Sequence, residues 1–509
     1  MLKTHFWVNL LTISSLGFWL FLKSETFHWY LTDENIYYLL ARNLGFATLP
    51  YRDFFYANPP FLLILLKISG FLFHWQVAGL RIIPIGAVLV SSWSIHRLLK
   101  RQIGLLLAIP LWIFLFSYIS LRASTHATGI NGTLTFIFLA YLFVREGRTT
   151  WGAVAFSLGL LTKFYSITAL PALLLGVFLV GGPDRKKKIL VFAGIVGVSQ
   201  ILLAVFGTLL GGKAFWEMNL WYHLAKPESA SNDFVAVFSR LFDRNVMSFL
   251  VFLLCLAFGG GSLLALKRQG KPLRPPSEIR AWFWVGGVNF LTVLLFLAIQ
   301  KRVFDFYFLL FLPSIIFLLG GILWFGTQIE WGEDLRKRFA LHAGLLAISG
   351  FLLLQPILPM NWRVMMRDPQ SSPVAYWDHE RRNLDELVEW GKKLDFPPGT
   401  TVFGDSATTP LFVLGTDFRI ALNEADTNSM RFRAGYPPPE EFIQRLEESR
   451  VNMLLVRTSL RADGKETLNG MFLIQEFGEY LKREFQPAAS LEMNDRTKVY
   501  LLARKPVNE

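Results

Sequence analysis

The chain has 509 residues, of which 53% are hydrophobic and only 17% are charged. Soluble proteins carry about a quarter charged residues, so this composition excludes an ordinary soluble protein. The net charge of +13 fits basic loops on one side of a membrane. Nucleic-acid binding would need a basic face on a soluble domain, and the C-terminal part has mixed charges instead. The one cysteine, Cys255, excludes an internal disulfide and leaves the redox compartment undetermined.

Apolar stretches of about 17–25 residues, the length that crosses a bilayer, recur along the chain. The first, from Phe6 to Leu22, is long and precedes no small-residue cleavage site. We therefore interpret it as a membrane span rather than a cleaved signal. We predict about eleven spans, at residues 5–22, 79–99, 103–120, 128–144, 150–162, 166–181, 189–209, 246–266, 281–299, 304–324 and 339–356.

Basic residues fall in alternate loops between these spans, and this alternation gives the orientation. The basic runs lie at 100–101, 145–148, 185–188, 267–280 and 336–338. We therefore place the N-terminus in the cytoplasm and everything after residue 356 outside. The alternation also favours two short spans within 150–181, with Lys163 in their outer turn. It favours an interfacial helix rather than a span for residues 59–75, which begin with two prolines and are interrupted by Lys67.

This orientation divides the chain into a transmembrane domain at 1–358, with a first outer loop at 23–78, and a C-terminal extracytoplasmic domain at 359–509. Short apolar runs predict strands at 400–406, 418–424, 451–457 and 498–504. Helical patterns lie between them at 379–394, 438–449 and 471–484. The fold class is therefore a polytopic α-helical membrane protein with a C-terminal α/β domain. We expect Asp405, at the end of the first strand, to cap a helix rather than act in catalysis.

The segment 31–62, LTDENIYYLLARNLGFATLPYRDFFYANPPFL, follows the first span and carries Asp33, Glu34, Arg52 and Asp53. Charges beside a membrane span are costly and usually mark a site. The order of a first span, an acidic pair, PYRDFF and then PP resembles the first extracytoplasmic loop of the GT-C glycosyltransferases. That superfamily includes protein O-mannosyltransferases and bacterial aminoarabinose transferases.

The resemblance implies a GT-C-like membrane fold and an enzyme of the outer face of the cytoplasmic membrane. Such an enzyme transfers a monosaccharide from a polyprenyl-phosphate carrier to an acceptor glycan, lipid or protein, with inversion. The resemblance extends to the segments around Lys163 and 301–313 and is loose elsewhere. The C-terminal domain is expected to shape the acceptor entrance.

Three carboxylates are the catalytic candidates that the resemblance implies. In the superfamily the first acidic residue after the first span is catalytic or close to a metal, and it maps onto Asp33, with Glu34 beside it. A partly desolvated carboxylate can have a raised pKa and deprotonate an acceptor. The alternative is that Thr32 or Asp33 caps the following helix. Asp53 matches a second acidic position of the superfamily.

Four basic residues are candidates for binding the donor phosphate: Arg52, Lys163, Lys301 and Arg302. The last two lie outside by orientation, against the positive-inside trend, so a partner such as a carrier phosphate is expected. For Lys163 and for the pair at 301–302 the alternative is snorkelling to lipid headgroups. For Arg52 it is an ion pair with Asp53 that anchors the loop. Ala57 and Asn58 stand where aminoarabinose transferases have Glu-Lys before Pro-Pro, so the zinc site and phosphate contact of those enzymes are not carried over.

Aromatic residues on the outer face are candidates for sugar or prenyl contacts, namely Tyr37, Trp221, Tyr222 and His223. Interfacial aromatics are also common in membrane proteins of any function. His126 and His223 would form a zinc site only if they converged, which the sequence does not show. No cofactor is therefore assigned, and a divalent metal is the alternative that the sequence leaves open.

Two other functions would use the same outer charges. A lipid-linked sugar flippase or transporter usually has inverted repeats and broken helices in matching halves, and no repeat is visible here. A non-catalytic subunit of a glycan assembly complex would have no need to keep the pair Asp33 and Glu34.

Overall fold

The structure, a computed structural model, describes residues 2–23, 33–227, 234–271, 273–300, 303–329, 335–354, 385–460, 465–493 and 497–506. They fall into two compact units. One comprises Met1–Glu25, Pro84–Ile201 and Ala230–His379, and the other comprises Thr26–Ile83, Leu202–Ser229 and Glu380–Glu509. The second unit therefore combines the first loop with the C-terminal part of the chain.

In chain order the α-helices are α1 (Leu2–Leu22), α2 (Glu34–Asn43), α3 (Phe61–Leu72), α4 (Val77–Ile103), α5 (Ala108–Phe116), α6 (Tyr118–Ala123), α7 (Ile130–Arg145), α8 (Thr149–Thr162), α9 (Leu170–Val180), α10 (Arg185–Gly211), α11 (Lys213–Trp216), α12 (Tyr222–Ala225), α13 (Phe234–Arg244), α14 (Val246–Arg268), α15 (Ser277–Ile299), α16 (Leu312–Thr327), α17 (Leu335–Leu354), α18 (Asp385–Lys393), α19 (Thr409–Gly415), α20 (Ser429–Arg433), α21 (Pro439–Glu448) and α22 (Gln475–Glu484). Short 3₁₀ helices lie at Gly104–Leu107, Phe164–Ala169, Gly182–Asp184, Asp305–Phe311, Ala421–Asn423 and Gly470–Leu473, and a π-helical turn at Glu217–Trp221.

Five helical stretches within the described residues are long and apolar enough to cross a membrane. They are Val77–Phe116, Gly182–Gly211, Val246–Arg268, Ser277–Ile299 and Asp305–Thr327. Shorter apolar helices lie at the other stretches predicted to be spans. The predicted spans at 79–99 and 103–120 fall mostly within the first stretch, where Gly104 has a φ of +56° and makes the 3₁₀ turn between α4 and α5.

Helix α3 lies where an interfacial helix is predicted. Its 12 residues extend for about 18 Å, whereas the hydrocarbon core of a bilayer is about 30 Å thick. The helix alone is therefore shorter than the core, and so are α8, with 14 residues, and α9, with 11, which lie at predicted spans.

The core of the first unit is apolar, with a few buried polar groups that join helices. The hydroxyl of Tyr141 on α7 donates to Asn289 Oδ1 on α15 at 3.0 Å. Asn289 Nδ2 in turn donates to Ser314 Oγ on α16 at 2.7 Å. Polar side chains buried between apolar helices fix the register of their packing.

Three basic loops that are predicted to share one side of the membrane lie together in the first unit. Arg97 pairs with Glu146 at 2.9 Å, and Arg145 pairs with Glu278 at 2.7 Å. The loops after α4 and α7 and the loop before α15 are therefore joined by ion pairs. This arrangement fits their common assignment to the cytoplasmic side.

The described residues of the second unit form six strands: β1 (Thr401–Gly404), β2 (Arg419–Ile420), β3 (Met453–Leu460), β4 (Glu466–Leu468), β5 (Phe485–Met493) and β6 (Thr497–Arg504). Their order is β2-β1-β3-β6-β5, with β4 paired to β3. Strand β1 runs parallel to β2 and β3, and the other pairs are antiparallel. Phenylalanines 403, 432, 442 and 477 fill the core between this sheet and helices α20 to α22.

Three predicted strands lie on β1, β3 and β6, whereas the one predicted at 418–424 is a strand only at Arg419–Ile420, followed by the 3₁₀ turn Ala421–Asn423. Strands β4 and β5 were not predicted. Strand β5 contains Pro487, is mostly exposed, and pairs only with β6. An edge strand of this kind lacks the apolar alternation that identifies a strand in sequence. The helix predicted at 471–484 is in fact a 3₁₀ turn followed by α22, and residues 379–384 of the first predicted helix lie outside the described residues.

Candidate functional site

Asp33 and Glu34 stand side by side at the start of α2 but have different surroundings. Asp33 is exposed at the N-cap position, and its side chain makes no capping hydrogen bond. Glu34 is completely buried and pairs with Arg81, also buried, at 2.6 Å. The capping alternative is therefore wrong for Asp33, and Thr32 lies outside the described residues.

Asp53 and Arg52 form the ion pair that the alternative interpretation of this loop predicts. Asp53 Oδ2 lies 2.8 Å from Arg52 Nη2 and accepts the backbone N–H of Leu49 at 2.7 Å. The hydrogen bond from Arg52, reinforced by the one from Leu49, holds the pKa of the Asp53 carboxyl below its usual range. The pair thus anchors the turn before Phe54.

The same loop forms one wall of a cleft with a volume of about 330 Å³. Its lining comes from residues 51–55, 217–218 and 424–445, all within the second unit. We call it the 424 cleft. It contains both of the predicted site residues Arg52 and Asp53.

A buried ion pair forms part of the lining of the 424 cleft. Arg431 Nη1 and Nη2 donate to the two carboxylate oxygens of Glu424 at 2.6 and 3.1 Å. Both side chains are at most 3% exposed. Burial acts to raise the pKa of Glu424, but the charge and hydrogen bonds of Arg431, with the charge of Arg445, outweigh it and lower the pKa. Glu424 is therefore held as a carboxylate.

The ion pair between Glu424 and Arg431 also contacts the first loop at Phe55. The backbone N–H of Phe55 donates to Glu424 Oε2 at 3.5 Å, and the guanidinium of Arg431 lies 4.2 Å from the centre of the Phe55 ring. Arg431 further donates to the backbone carbonyls of Tyr436 at 2.6 Å and Asp426 at 2.8 Å. One side chain thus ties the first loop to two turns of the C-terminal part.

Asp426 is a second carboxylate in the neighbourhood of Asp33. Burial raises the pKa of Asp426 to about 6, and the negative charge of Asp33 adds to that increase while Arg431 opposes it. An acid with a pKa near 6 is suited to proton transfer near neutral pH.

The sequence prediction missed Glu424, Asp426 and Arg431. The available signal was a pair of acidic residues, two positions apart, at the end of the strand predicted at 418–424.

His223 and Tyr222 pack against the first loop. The carbonyl of Ala57 accepts from His223 Nε2 at 2.7 Å, and Lys226 Nζ donates to Nδ1 at 3.1 Å. A carbonyl only accepts and an ammonium only donates, so this histidine is the neutral tautomer with both nitrogens engaged. It is therefore not placed as a metal ligand.

The predicted aromatic contacts differ in exposure. Tyr222 is buried, with its ring 5.1 Å from Phe55. Tyr37 is half-buried against Tyr56 at 6.0 Å. Trp221 is 52% exposed. Of these rings, Trp221 has the most surface to offer to a ligand.

Lys163 lies in the first unit, at the break between α8 and the following 3₁₀ helix. It is buried, with Nζ 5.6 Å from the Tyr165 ring, which does not fit a side chain extended to lipid headgroups. The hydroxyl of Tyr307 donates to that of Tyr165 at 2.9 Å, so the segment that follows residue 302 packs at this turn. Lys301 and Arg302 themselves lie outside the described residues.

The remaining candidates have structural surroundings. Asp405 Oδ1 accepts the backbone N–H groups of Ala407 at 2.9 Å and Thr408 at 3.1 Å and so orders the turn before α19, whose N-cap residue is Thr408 rather than Asp405. His126 is half-buried in the first unit. Within the described residues no group of three or more His, Cys, Asp and Glu side chains is arranged to hold a metal ion.

Residues 55–277 match the sequence model of glycosyltransferase family 87. A search of curated proteins found no match. The chain is similar in structure to ArnT from Cupriavidus metallidurans bound to undecaprenyl phosphate, with 13% identity and a TM-score of 0.61 over 97% of this chain and 98% of that chain. The apo state of the same ArnT gives 15% identity and a TM-score of 0.60 over 98% of each chain.

These identities are low, so the likeness to ArnT concerns the fold. The predicted resemblance to GT-C membrane glycosyltransferases is confirmed.

Proposed function

We propose that this chain transfers a monosaccharide from a polyprenyl-phosphate carrier to an acceptor glycan, lipid or protein at the outer face of the cytoplasmic membrane. The observation that carries this proposal is the likeness in fold, over almost the whole of both chains, to an ArnT structure that contains undecaprenyl phosphate. The match to glycosyltransferase family 87 supports it independently.

The proposal includes about eleven membrane spans, with the N-terminus inside and both Asp33 and the C-terminal domain outside. It is supported by helices at each predicted span and by the ion pairs that join the loops assigned to the inner side. The proposal treats α3 as an interfacial helix, because a further crossing at 59–75 would reverse the orientation of every later span.

In this mechanism Asp33 is the general base. An acceptor hydroxyl attacks the anomeric carbon from the side opposite the carrier, so the new bond forms as the bond from carbon to phosphate oxygen breaks. Configuration is inverted, the hydroxyl proton passes to Asp33, and the electron pair leaves with the carrier as a phosphate monoester. Glu34, clamped by Arg81, holds the start of α2 and with it Asp33.

The developing negative charge on the leaving phosphate needs cations. Lys163, Lys301 and Arg302 are assigned that role, and for Lys163 the assignment is supported by its place beside Tyr165, on which Tyr307 packs. Arg52 is assigned a structural role in the first loop and not phosphate binding, because its guanidinium already contacts Asp53 and the carbonyl of Ala47.

Label transfer from radiolabelled polyprenyl-phosphate sugars to membrane extract tests the proposal. Asp33→Asn should lower the transfer rate by roughly 100- to 10,000-fold, the usual contribution of a positioned base. Asp417→Asn, at another exposed carboxylate of the second unit, is the matched control and should transfer as the wild type does.

Two results contradict the proposal. Absence of transfer by the wild type from every donor would exclude the reaction. If Asp33→Asn kept more than about a third of the activity, Asp33 would not be the base.

A further inference from the structure

We propose that the 424 cleft binds a neutral oligosaccharide, the part of an acceptor glycan that lies beyond the reacting hydroxyl. This inference rests on the proposed function and names the class of its acceptor. The cleft volume of about 330 Å³ lies at the lower end of the range of ligand sites, about 300–1,000 Å³.

Charge balance is the first reason for a neutral ligand. The lining carries three arginines, Arg52, Arg431 and Arg445, and four acids, Asp53, Glu217, Glu424 and Glu441. All three arginines contact acids of the cleft itself, at 2.8, 2.6 and 3.4 Å. A cleft concentrates an anionic ligand only when it has an excess of positive charge, which this one lacks.

The polar groups at the mouth suit hydroxyl groups. Glu441 stands in the first turn of α21 and Arg445 one turn later, on the same face. Glu441 is exposed and has no ion-pair partner among the described residues, and Arg445 pairs with Glu424 at 3.4 Å while its guanidinium lies 5.2 Å from the centre of the Phe442 ring. A sugar hydroxyl both donates and accepts, so it can donate to the carboxylate while another accepts from the guanidinium.

The apolar part of the lining forms a platform for the C–H face of a sugar ring. Tyr436, Pro437 and Pro438 form one side of the cleft. Tyr436 is fixed from behind, since its ring lies 5.9 Å from that of Tyr222 and its carbonyl accepts from Arg431 at 2.6 Å. A rigid aromatic surface with a few placed polar groups is the usual composition of a small-molecule site.

The position of the cleft connects it with the candidate base. Arg431, in its lining, also donates to the backbone of Asp426, and the charge of Asp33 acts on the Asp426 carboxyl. A glycan held between Glu441 and Tyr436 would therefore extend from a surface that belongs to the same compact unit as Asp33.

Binding to the full chain in nanodiscs tests the inference. The probes are neutral malto-, cello-, manno- and arabinopentaose, with pentagalacturonate as the anionic comparison, and the readout is saturation-transfer NMR with titration. At least one neutral pentaose should bind, more tightly than pentagalacturonate. Glu441→Gln and Tyr436→Ala should each weaken that binding by roughly 10-fold or more, because each removes a direct contact.

Glu440→Gln is the matched control, because the neighbouring glutamate is exposed but lies outside the cleft. Tyr436→Phe, which keeps the ring, replaces Tyr436→Ala if the latter fails to fold and should bind the pentaose within about threefold of the wild type. The inference is overturned if no neutral pentaose binds, if pentagalacturonate binds more tightly, or if Glu441→Gln and Glu440→Gln give equal affinities.

Binding of a polyprenyl-phosphate sugar to the same samples separates this inference from the proposed function. A wild type that binds the donor but no pentaose overturns only the assignment of the cleft. A wild type that binds a pentaose but no donor overturns the proposed function and leaves the cleft as a glycan site.

Discussion

Removal of the Arg431 charge should loosen the first loop. Arg431→Met keeps a long apolar side chain beside Phe55 but removes the two hydrogen bonds to Glu424 and those to the carbonyls of Asp426 and Tyr436. Glu424 would remain buried with weak partners, Arg445 at 3.4 Å and the N–H of Phe55 at 3.5 Å. The variant therefore creates an uncompensated buried carboxylate rather than a simple cavity.

Breaking a buried ion pair by removing one partner costs about 3–5 kcal/mol. Opening of the loop should therefore become roughly 150- to 5,000-fold more frequent, since each 1.4 kcal/mol is a factor of about ten. The pKa of Glu424 is lowered in the fold, so the pair stabilises the protein above the usual carboxyl pKa of about 4.3 and loses this effect as pH falls through the lower, folded value. The difference between wild type and variant should accordingly shrink at acid pH.

Hydrogen–deuterium exchange of the full chain in nanodiscs measures this opening. Peptides covering 49–57 and 424–436 should exchange faster in Arg431→Met at pH 7. Arg433→Met removes an equal charge from an exposed position on the same helix and should leave both peptides unchanged.

The double variant Glu424→Leu with Arg431→Met removes the unpaired charge as well and should recover most of the protection. A change of less than about threefold in the single variant would refute the reasoning, because it would mean that the pair contributes less than an exposed one.

Two further predictions concern charged side chains in different surroundings. Asp426→Asn should raise the midpoint of thermal unfolding at pH 8 and have no effect at pH 4. The folded pKa of about 6 exceeds the usual value of about 3.9, so the ionised carboxyl costs stability as pH rises through this range. An Asp426→Asn variant that is less stable than the wild type at pH 8 would contradict this prediction. Arg81→Met should lower the free energy of unfolding in detergent by about 3–5 kcal/mol, whereas Arg97→Met, from an ion pair with both partners partly exposed, should lower it by less than about 1 kcal/mol. Equal losses of unfolding free energy in the two variants would show that burial does not strengthen the pair between Arg81 and Glu34.

The helices and the acidic loop could be predicted because their signals are local. A stretch of apolar residues long enough to cross a bilayer is visible in the chain itself, and basic residues between such stretches give the alternation. Asp33 and Glu34 are neighbours in sequence, as are Arg52 and Asp53. No long-range information was needed to select them.

The contribution of the C-terminal part could not be predicted, because it depends on contacts between distant segments. The bond from Phe55 to Glu424 joins residues 369 positions apart. The stretch around Glu424 and Arg431 contains no motif that names a partner, and Glu424 was assigned to a strand end. The 424 cleft forms where the segments 51–55, 217–218 and 424–445 meet. Its charge balance and its aromatic side therefore cannot be inferred from any one of these segments.

The two acidic pairs of the second unit, Asp33 with Glu34 and Glu424 with Asp426, have a common arrangement: the glutamate is buried in an ion pair with an arginine, and the aspartate is less buried. In the first, Glu34 is buried against Arg81 while its neighbour Asp33 is exposed. In the second, Glu424 is buried against Arg431 while Asp426, two residues on, keeps a carboxyl with a pKa of about 6.

A buried ion pair adds little net stability compared with apolar residues of the same size, but it fixes where its backbone lies. In the proposed mechanism Glu34 accordingly positions Asp33, and Glu424 fixes the chain beside Asp426 in the same manner. From sequence the members of each acidic pair look equivalent, because only burial and the arginine partner distinguish the glutamate held in an ion pair from the aspartate beside it.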